Sequence, residues 1–345
     1  MWHRCFFVCF SFGYLSQTSP ERRERKGVMT KYIIKRVLMA IPLFLAITAV
    51  VYLLLSIAPG SALDTIASSS KLTKVELEEL KASLGMDKPI LVRYGLWLKD
   101  FFQGNWGTSY STNQSVLYMI GQRIGPSLIL TCSGLVIAVL IGIPLGILAG
   151  NKPYGASDNI ASVIAYIGTA IPSFFLSLTV IYIFAVKCGW FPTQGMYTAS
   201  QSKEVGDLLH HLLLPAMMVA IQLVGGFIKQ TRNGMMDVLN EEYVKTARSK
   251  GISETRVIVK HAFRNTLAPI ITQITLSVPY LIGGAVVTEQ IFSWPGIGSL
   301  MVTSITNRDY PVVMGITVLV AITVLIANLV SDLIYAALDP RISFS

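Results

Sequence analysis

The sequence has little charge for its length, and almost none of that charge lies in its long apolar stretches. Of its 345 residues, 14% are charged and 52% are hydrophobic, and the mean hydropathy is +0.58. This composition excludes an ordinary soluble domain and predicts a polytopic membrane protein. There are only four cysteines, none at metal-ligand spacing, so neither a disulfide framework nor a cysteine metal centre is predicted.

Sequence motifs for catalysis are also missing. The chain has no GxxxxGK[ST] phosphate loop and no HExxH pair, and we find no Ser/His/Asp pattern. His210 and His211 are adjacent, so they point to different helix faces and do not predict a metal site. We therefore expect no enzyme activity, no catalytic residues, and no metal or cofactor bound by this chain.

The apolar residues fall into runs that are long enough to cross a membrane. A hydrocarbon core about 30 Å thick needs roughly 20 apolar helical residues. Six stretches qualify, so the sequence predicts an all-α protein with six transmembrane helices: 34–58, 126–150, 159–186, 212–230, 266–288 and 312–337. Their interiors carry no Lys, Arg, Asp, Glu or His, and Asp332 lies near the exit of the last span. This argues against an ion-coupled secondary carrier, because such carriers need buried charges.

Basic residues predict how the chain is oriented. The net charge of +9 is concentrated before the first run and in the loop after the fourth, where juxtamembrane placement explains it better than nucleic-acid binding. Lys31, Lys35 and Arg36 would hold the N-terminal side in the cytoplasm. Because each span takes the chain across the membrane once, the basic loop at 231–265 and both termini are then predicted to be cytoplasmic.

The remaining segments define the predicted domains. Residues 1–28 are a doubtful extension, and Met29 is a natural start. The charges of this segment follow its short apolar run, whereas a signal peptide has the reverse order. The first membrane helix occupies 29–58, an extracytoplasmic helical segment 59–125, a five-helix core 126–339 and a cytoplasmic tail 340–345.

Two short helices are predicted in the extracytoplasmic segment. Thr73 and Glu76 have capping-box spacing, and a second helix opens at Pro89 and ends at Gly104. The pair is either a brace on the outer mouth or a docking surface for an external delivery protein.

Small and polar residues recur within the spans. Gly142, Gly146 and Gly150 are four residues apart, a spacing that lets helix backbones approach closely in lipid. Gln222 and Gly225 in the fourth span, and Gln273 and Ser277 in the fifth, either line a water-filled path or make helix–helix contacts.

The loop 231–265 is predicted to contain a helix, a glycine break and a second helix. Asn240 can cap a helix that runs to about Lys250, Gly251 ends it, and Ser253 can cap the next. Ala247 and Gly251 are small enough for another protein to approach closely. An amphipathic helix resting on anionic lipid is the alternative.

Four separated strings carry a family resemblance: LGMDKPILVRYGLWLKDFFQGNWGTSY, GWFPTQG, EYVKTARSKG followed by HAFRN, and TEQIFSWPGIG. With them, residues from about 30 to 345 resemble a permease subunit of a binding-protein-dependent ABC importer, closest to the dipeptide/oligopeptide/nickel branch. Of the generic loop motif only Ala247 and Gly251 match, and the rest of the string is typical of the peptide branch.

The resemblance implies a type I importer permease (MetI-like) fold and a set of partners. These are a second related permease that completes a heterodimer, two cytoplasmic ATPase subunits that hold the ATP, and an external binding protein. The cell membrane of a bacterium or archaeon is the implied location, with membrane lipid around the chain and no nucleic acid. The implied cargo is a peptide, with nickel or a metal chelate as the alternative.

The resemblance also assigns site residues. An ATPase-coupling role falls on Glu242, Tyr243, Lys245, Thr246, Ala247, Arg248, Lys250, Gly251, His261 and Arg264. A tight re-entrant turn at the outer side falls on Glu289, Trp294, Pro295, Gly296 and Gly298, where we expect Glu289 to accept hydrogen bonds from nearby donors rather than bind cargo.

Overall fold

The computed structural model describes residues 20–57, 76, 78, 87–198 and 204–338, and within this part of the chain every regular element is a helix. The elements that matter below are α1 (Pro20–Ile57), α2 (Ile90–Phe102), α3 (Val116–Asn151), α4 (Ala156–Ala170), α5 (Ser173–Val180), α6 (Val205–Leu239), α7 (Glu242–Ser249), α8 (Glu254–Arg256), α9 (Arg264–Leu276), α10 (Val278–Gly283), α11 (Val286–Ile291), α12 (Ile297–Thr306) and α13 (Tyr310–Leu338). Two π-helical segments, Ile181–Lys187 and Val257–Phe263, continue α5 and join α8 to α9.

The predicted all-helical membrane fold is confirmed, but the count of six continuous spans is not. Among the described residues, four helices are long and apolar enough to cross a membrane: Ile34–Ile57, Val116–Asn151, Val205–Leu239 and Tyr310–Leu333. A fifth span is reached only if α4 and the α5 segment count as one, although they meet at a bend of 99°. Pro172 occupies the N-cap position of α5 at this bend, and Ile171 before it is extended, because a following proline disfavours the helical conformation.

The predicted span 266–288 is broken into pieces. α9 ends at Leu276, α10 covers only Val278–Gly283, and Gly284 has a φ of +78°, which ends the helix before α11. Pro279 explains the first break, because it has no N–H to continue the helical ladder and its ring crowds the carbonyl four residues earlier. Thr131 of α3 donates a hydrogen bond to the carbonyl oxygen of Leu281 at 3.0 Å, so a neighbouring helix satisfies this backbone group.

The most extensive helix contact joins α3 to α6, and the glycines of α3 create it. A Cβ atom placed on Gly142, Gly146 or Gly150 would lie 2.7, 2.5 or 2.6 Å from the Cβ atom of Phe227, Thr231 or Met235 respectively. These distances are shorter than any real Cβ contact, so only glycine lets the two backbones come this close. The predicted close approach at this spacing is confirmed.

The outer segment contributes a helix that packs on α1. α2 begins after Pro89 and the chain leaves it through Gly104, whose φ is +83°, as predicted. Tyr94 donates a hydrogen bond to the carbonyl oxygen of Leu45, and Phe101 lies 5.9 Å from Phe44 between ring centroids. The capping box predicted at Thr73 lies outside the described residues, as do most of the predicted extension 1–28 and the tail 340–345.

Candidate coupling loop and outer turn

α7 is a short helix with one buried face and one exposed face. Val244 and Ala247 point inward, where they pack with Val257 against half-buried apolar side chains from the end of α6 and from Ile252. This small apolar cluster attaches the helix to its own chain. The opposite face is therefore the one that a partner or a membrane surface can contact.

Two predictions about this loop were wrong in detail. Ala247 is only 6% exposed and faces Val257, so its small side chain accommodates the protein's own packing rather than a second protein. Asn240 does not cap α7, because its amide donates back to the carbonyl oxygen of Met236 and Glu241 stands at the N-cap position. The position of Ala247 on the helix was predictable from the sequence, but whether its face packs on the rest of the chain or meets a partner was not.

Most of the predicted coupling residues lie on the exposed surface. Gly251 has a φ of +74°, which ends α7 as predicted, and Ser253 occupies the next N-cap position without a side-chain cap bond. His261 is half-buried within the π-helical segment. The exposed members of the set are Glu242, Tyr243, Lys245, Thr246, Arg248, Lys250, Gly251 and Arg264.

Two side-chain interactions connect α7 to the elements that follow it. The amide of Asn265 donates a hydrogen bond to the Tyr243 hydroxyl at 2.6 Å, which joins the exposed face of α7 to the first turn of α9. Arg248 binds Glu254 of α8 through two nitrogens at 2.7 and 3.2 Å. The guanidinium lowers the pKa of the Glu254 carboxyl below its usual value. These two interactions link α7 to both α8 and α9.

Glu289 is the centre of the outer turn. It is completely buried, and its Oε1 accepts a hydrogen bond from Ser127 Oγ of α3 at 2.7 Å. Its Oε2 accepts the backbone N–H of Ser299 at 2.9 Å. The Ser127 hydroxyl in turn accepts the N–H of Ile297 at 2.7 Å. Glu289 thus accepts hydrogen bonds from nearby donors as expected, and Ser127 is a partner that no sequence pattern indicated.

The glycines of this turn make room for the carboxylate. A Cβ atom on Gly284 would lie 2.6 Å from Glu289 Oε1, and one on Gly298 would lie 2.9 Å from Oε2. Gly296 is closer still to the same carboxyl group. Trp294 is fully buried and donates its indole N–H to the carbonyl oxygen of Pro126 at 2.9 Å. Pro295, between Trp294 and Gly296, is half-buried. The turn is thus fixed to α3 at Pro126 and Ser127, about three turns from the start of that helix.

The four candidate path residues lie in different surroundings. Gly225 is buried, and a Cβ atom there would lie 2.6 Å from the carbonyl oxygen of Ala165, so it makes a close contact with α4. Ser277 is buried and donates to the carbonyl oxygen of Gln273. Gln222 and Gln273 are half-buried, and the amide of Gln273 lies over Gly226. A path-lining role stays a prediction, and the two glutamines are its best candidates.

No cluster of three or more His, Cys, Asp or Glu side chains that could hold a metal occurs in the described ranges. His211 instead contacts the carbonyl oxygen of Gly195 at 3.1 Å, and His210 contacts that of Trp190 at 2.8 Å. The two histidines therefore attach the outer loop of the GWFPTQG string to the start of α6.

Comparison with known proteins assigns a family to this architecture. Residues 142–344 match the model described as binding-protein-dependent transport system inner membrane component, and residues 29–131 match the corresponding N-terminal model. The chain is 41% identical over 317 residues to the oligopeptide transport system permease protein AppB of Bacillus subtilis (strain 168), which covers 92% of this chain and 100% of the relative.

A second relative and one solved structure are also similar. The glutathione transport system permease protein GsiC of Salmonella typhimurium is 34% identical over 316 residues, covering 92% of this chain and 100% of the relative. The structure is the MetNI methionine ABC transporter in inward-facing conformations, with 16% identity and a TM-score of 0.48 over 65% of this chain and 97% of that chain.

Proposed function

This chain belongs to the family of inner membrane components of binding-protein-dependent transport systems, and we propose that it forms one half of the path along which such a system imports short peptides. It is a permease subunit of an ABC importer and a multi-pass membrane protein. The peptide cargo, the paired arrangement and the orientation are the parts that we propose.

The observation that carries the peptide assignment is the near full-length similarity to permeases named for oligopeptides and for glutathione. Glutathione is itself a short peptide, so both names point to one cargo class. The nickel alternative is not favoured by these relatives. An ion-coupled carrier is disfavoured as well, because the family works with separate ATPase subunits.

We further propose that α7 docks on a cytoplasmic ATPase subunit. The helix has an apolar inner face that attaches it to the chain and a polar outer face that is free to bind. Its links to α8 and α9 at Arg248 and Tyr243 give the docked helix a direct connection to the membrane core. Closure of two ATPases upon binding ATP would then move the permease between its two access states.

The proposed assembly contains a second, related permease, two ATPase subunits and an external binding protein, with both termini of this chain in the cytoplasm. The sequence has no phosphate loop, so in this proposal the ATP is bound by the partner subunits. The purified chain without its partners should therefore hydrolyse no ATP. Measurable turnover by the chain alone would contradict this part of the proposal.

Reconstitution tests the function directly. The complex is placed in vesicles with its binding protein, and uptake of a radiolabelled tripeptide is followed with ATP or a non-hydrolysable analogue on the ATPase side. We expect ATP-dependent accumulation that unlabelled peptides abolish and nickel salts do not. Accumulation of nickel, or uptake that follows a proton gradient and ignores ATP, would overturn the proposal.

A further inference from the structure

A cavity of about 390 Å³ lies between α1, α2, the loop that follows α2, and the first turn of α13. It contains none of the coupling-loop or outer-turn residues. Its volume falls within the range of small-molecule sites in proteins, which begins at about 300 Å³. In the orientation proposed above, it is on the outer side of the membrane, where cargo arrives.

One row of side chains on α2 faces this cavity. Arg93, Leu96, Trp97 and Asp100 all line it, and their spacing of three, four and seven residues places them on one face of the helix. Arg93 and Asp100 are two turns apart, which separates their backbones by about 10 Å along the axis. The cavity therefore has a cationic end and an anionic end with an aromatic side chain between them.

Aromatic rings form most of the remaining wall. Tyr52 of α1, Tyr110 of the loop and Tyr310 of α13 line the cavity together with Trp97 and Trp106. Trp97 stacks on Phe101 with ring centroids 5.7 Å apart. The N–H of Tyr110 is held by Asp309 at 3.0 Å. These contacts fix the walls before any ligand enters, which reduces the entropy cost of binding.

The charged side chains of the cavity differ in their exposure. Lys88 and Asp100 line the cavity and are exposed, whereas Arg93 is half-buried with its guanidinium carbon 6.0 Å from the centre of the Tyr52 ring. A guanidinium favours a carboxylate, a carboxylate favours an ammonium, and aromatic rings favour apolar or aromatic groups. An extended chain of three residues spans about 10 Å, which is close to the separation of the Arg93 and Asp100 backbones along the helix axis.

We propose that this cavity binds a zwitterionic peptide of about three residues, with its C-terminal carboxylate at Arg93 and its N-terminal ammonium at Asp100. Side chains of the peptide pack on the aromatic walls. This inference rests on the proposed function and adds an entry site on the permease itself, outside the predicted path of Gln222 and Gln273.

Calorimetry on the purified transporter complex without its binding protein tests the site. The probe is the tripeptide alanyl-phenylalanyl-alanine, compared with its N-acetylated and C-amidated forms. Arg93→Gln and Asp100→Asn each remove one charge from the cavity. Lys99→Gln is the matched control, because Lys99 lies exposed on the same helix and does not line the cavity.

We expect saturable binding that each cavity variant weakens by roughly tenfold and that Lys99→Gln leaves unchanged. Amidation should weaken binding to the unaltered complex and have no further effect on Arg93→Gln. Acetylation should behave in the same way with Asp100→Asn. Thermal unfolding of each variant complex, unchanged from that of the parent, rules out misfolding as the cause.

Absence of saturable binding at millimolar peptide, or equal binding by all variants, would overturn the inference. Binding that depends on Arg93 alone and that phosphatidylglycerol displaces would assign the cavity to an anionic lipid and overturn it too. Uptake of peptide delivered by the binding protein is measured in the same preparations. Normal uptake without cavity binding removes this inference and leaves the proposed function standing, whereas cavity binding without peptide uptake refutes the proposed function.

Discussion

Arg232 of α6 grips Asp158 of α4 through two parallel hydrogen bonds, Nε to Oδ1 at 2.6 Å and Nη2 to Oδ2 at 2.8 Å. The Asp158 side chain is only 5% exposed, and it also accepts the N–H of Tyr154 at 2.7 Å. The pair therefore fixes the turn between α3 and α4 to α6 near the coupling loop.

Arg232→Met should destabilise the protein by about 3 kcal/mol, because it leaves a buried carboxylate without its counter-ion. This loss of stability is at the lower end of what breaking a buried ion pair costs, because the Arg232 side chain is 21% exposed. Thermal unfolding in detergent measures the change, with the exposed Arg256→Met as control. The double variant with Asp158→Asn should recover part of the loss, and a double variant no better than Arg232→Met would argue against the pairing.

Gly146→Ala should weaken the contact between α3 and α6 by about 1–3 kcal/mol, because the added methyl group meets Thr231 and the carbonyl oxygen of Ile228. Gly121→Ala on the same helix is the matched control, since nothing lies within 4 Å of a Cβ atom there. That variant should be neutral or gain up to about 1 kcal/mol. Equal unfolding temperatures for the two variants would refute the close packing.

Ser127→Ala should cost about 1–3 kcal/mol, because it leaves the buried N–H of Ile297 without an acceptor and removes one donor from Glu289. Thr303→Ala is the control, since the exposed Thr303 hydroxyl donates to the carbonyl oxygen of Ser299 within its own helix. The thermal unfolding midpoints of both variants, measured in the same detergent, test this difference. A loss of similar size in both variants would mean that the Glu289 network is not special.

Tyr243→Phe and Asn265→Ala should each reduce peptide uptake per ATP hydrolysed, because both remove the hydrogen bond that joins α7 to α9. A bond worth about 1 kcal/mol changes a two-state balance about fivefold. ATP hydrolysis and uptake are measured in the same vesicles, with exposed Thr255→Ala as control. If the two variants together reduce the ratio no further than either alone, the bond itself is responsible. Additive losses would contradict this.

Gly251→Val should uncouple hydrolysis from uptake, whereas Gly251→Asn should retain coupling. The backbone there has a φ of +74°, which costs a β-branched residue about 1–2 kcal/mol and which asparagine tolerates. A Cβ atom at this position meets nothing within 4 Å, so the effect is one of backbone strain within the chain. Equal coupling by both variants would show that the αL conformation is not required.

Much of this architecture could be predicted because its signals are local. Apolar run lengths located the long helices, and Gly251 and Gly104 ended helices as glycine does wherever a positive φ is needed. The four-residue glycine spacing on α3 correctly indicated a close helix contact. Each of these features depends on residues close together in the chain.

What failed depended on distant partners or on competing local signals. Asp158 and Arg232 are 74 residues apart, and no spacing rule connects them. The burial of Ala247 depends on which face of α7 meets Val257. The span at 266–288 was predicted from its overall hydropathy. Pro279 and Gly284, which break the helix in the structure, were given too little weight in that prediction. No sequence pattern related the row from Arg93 to Asp100 to α13, so the cavity between them was not predicted.

The glycine contact between α3 and α6 limits how this subunit can move. Phe227, Thr231 and Met235 each lie over one glycine of α3. Sliding one helix by a single residue would drive these side chains into isoleucine, leucine, alanine or asparagine neighbours. The close packing thus holds α3 and α6 in one register. The helices that can bend or shift more easily are the short ones between the π-helical segment Val257–Phe263 and the break at Gly284. A gate in this subunit would pivot there, with α3 and α6 as its fixed frame.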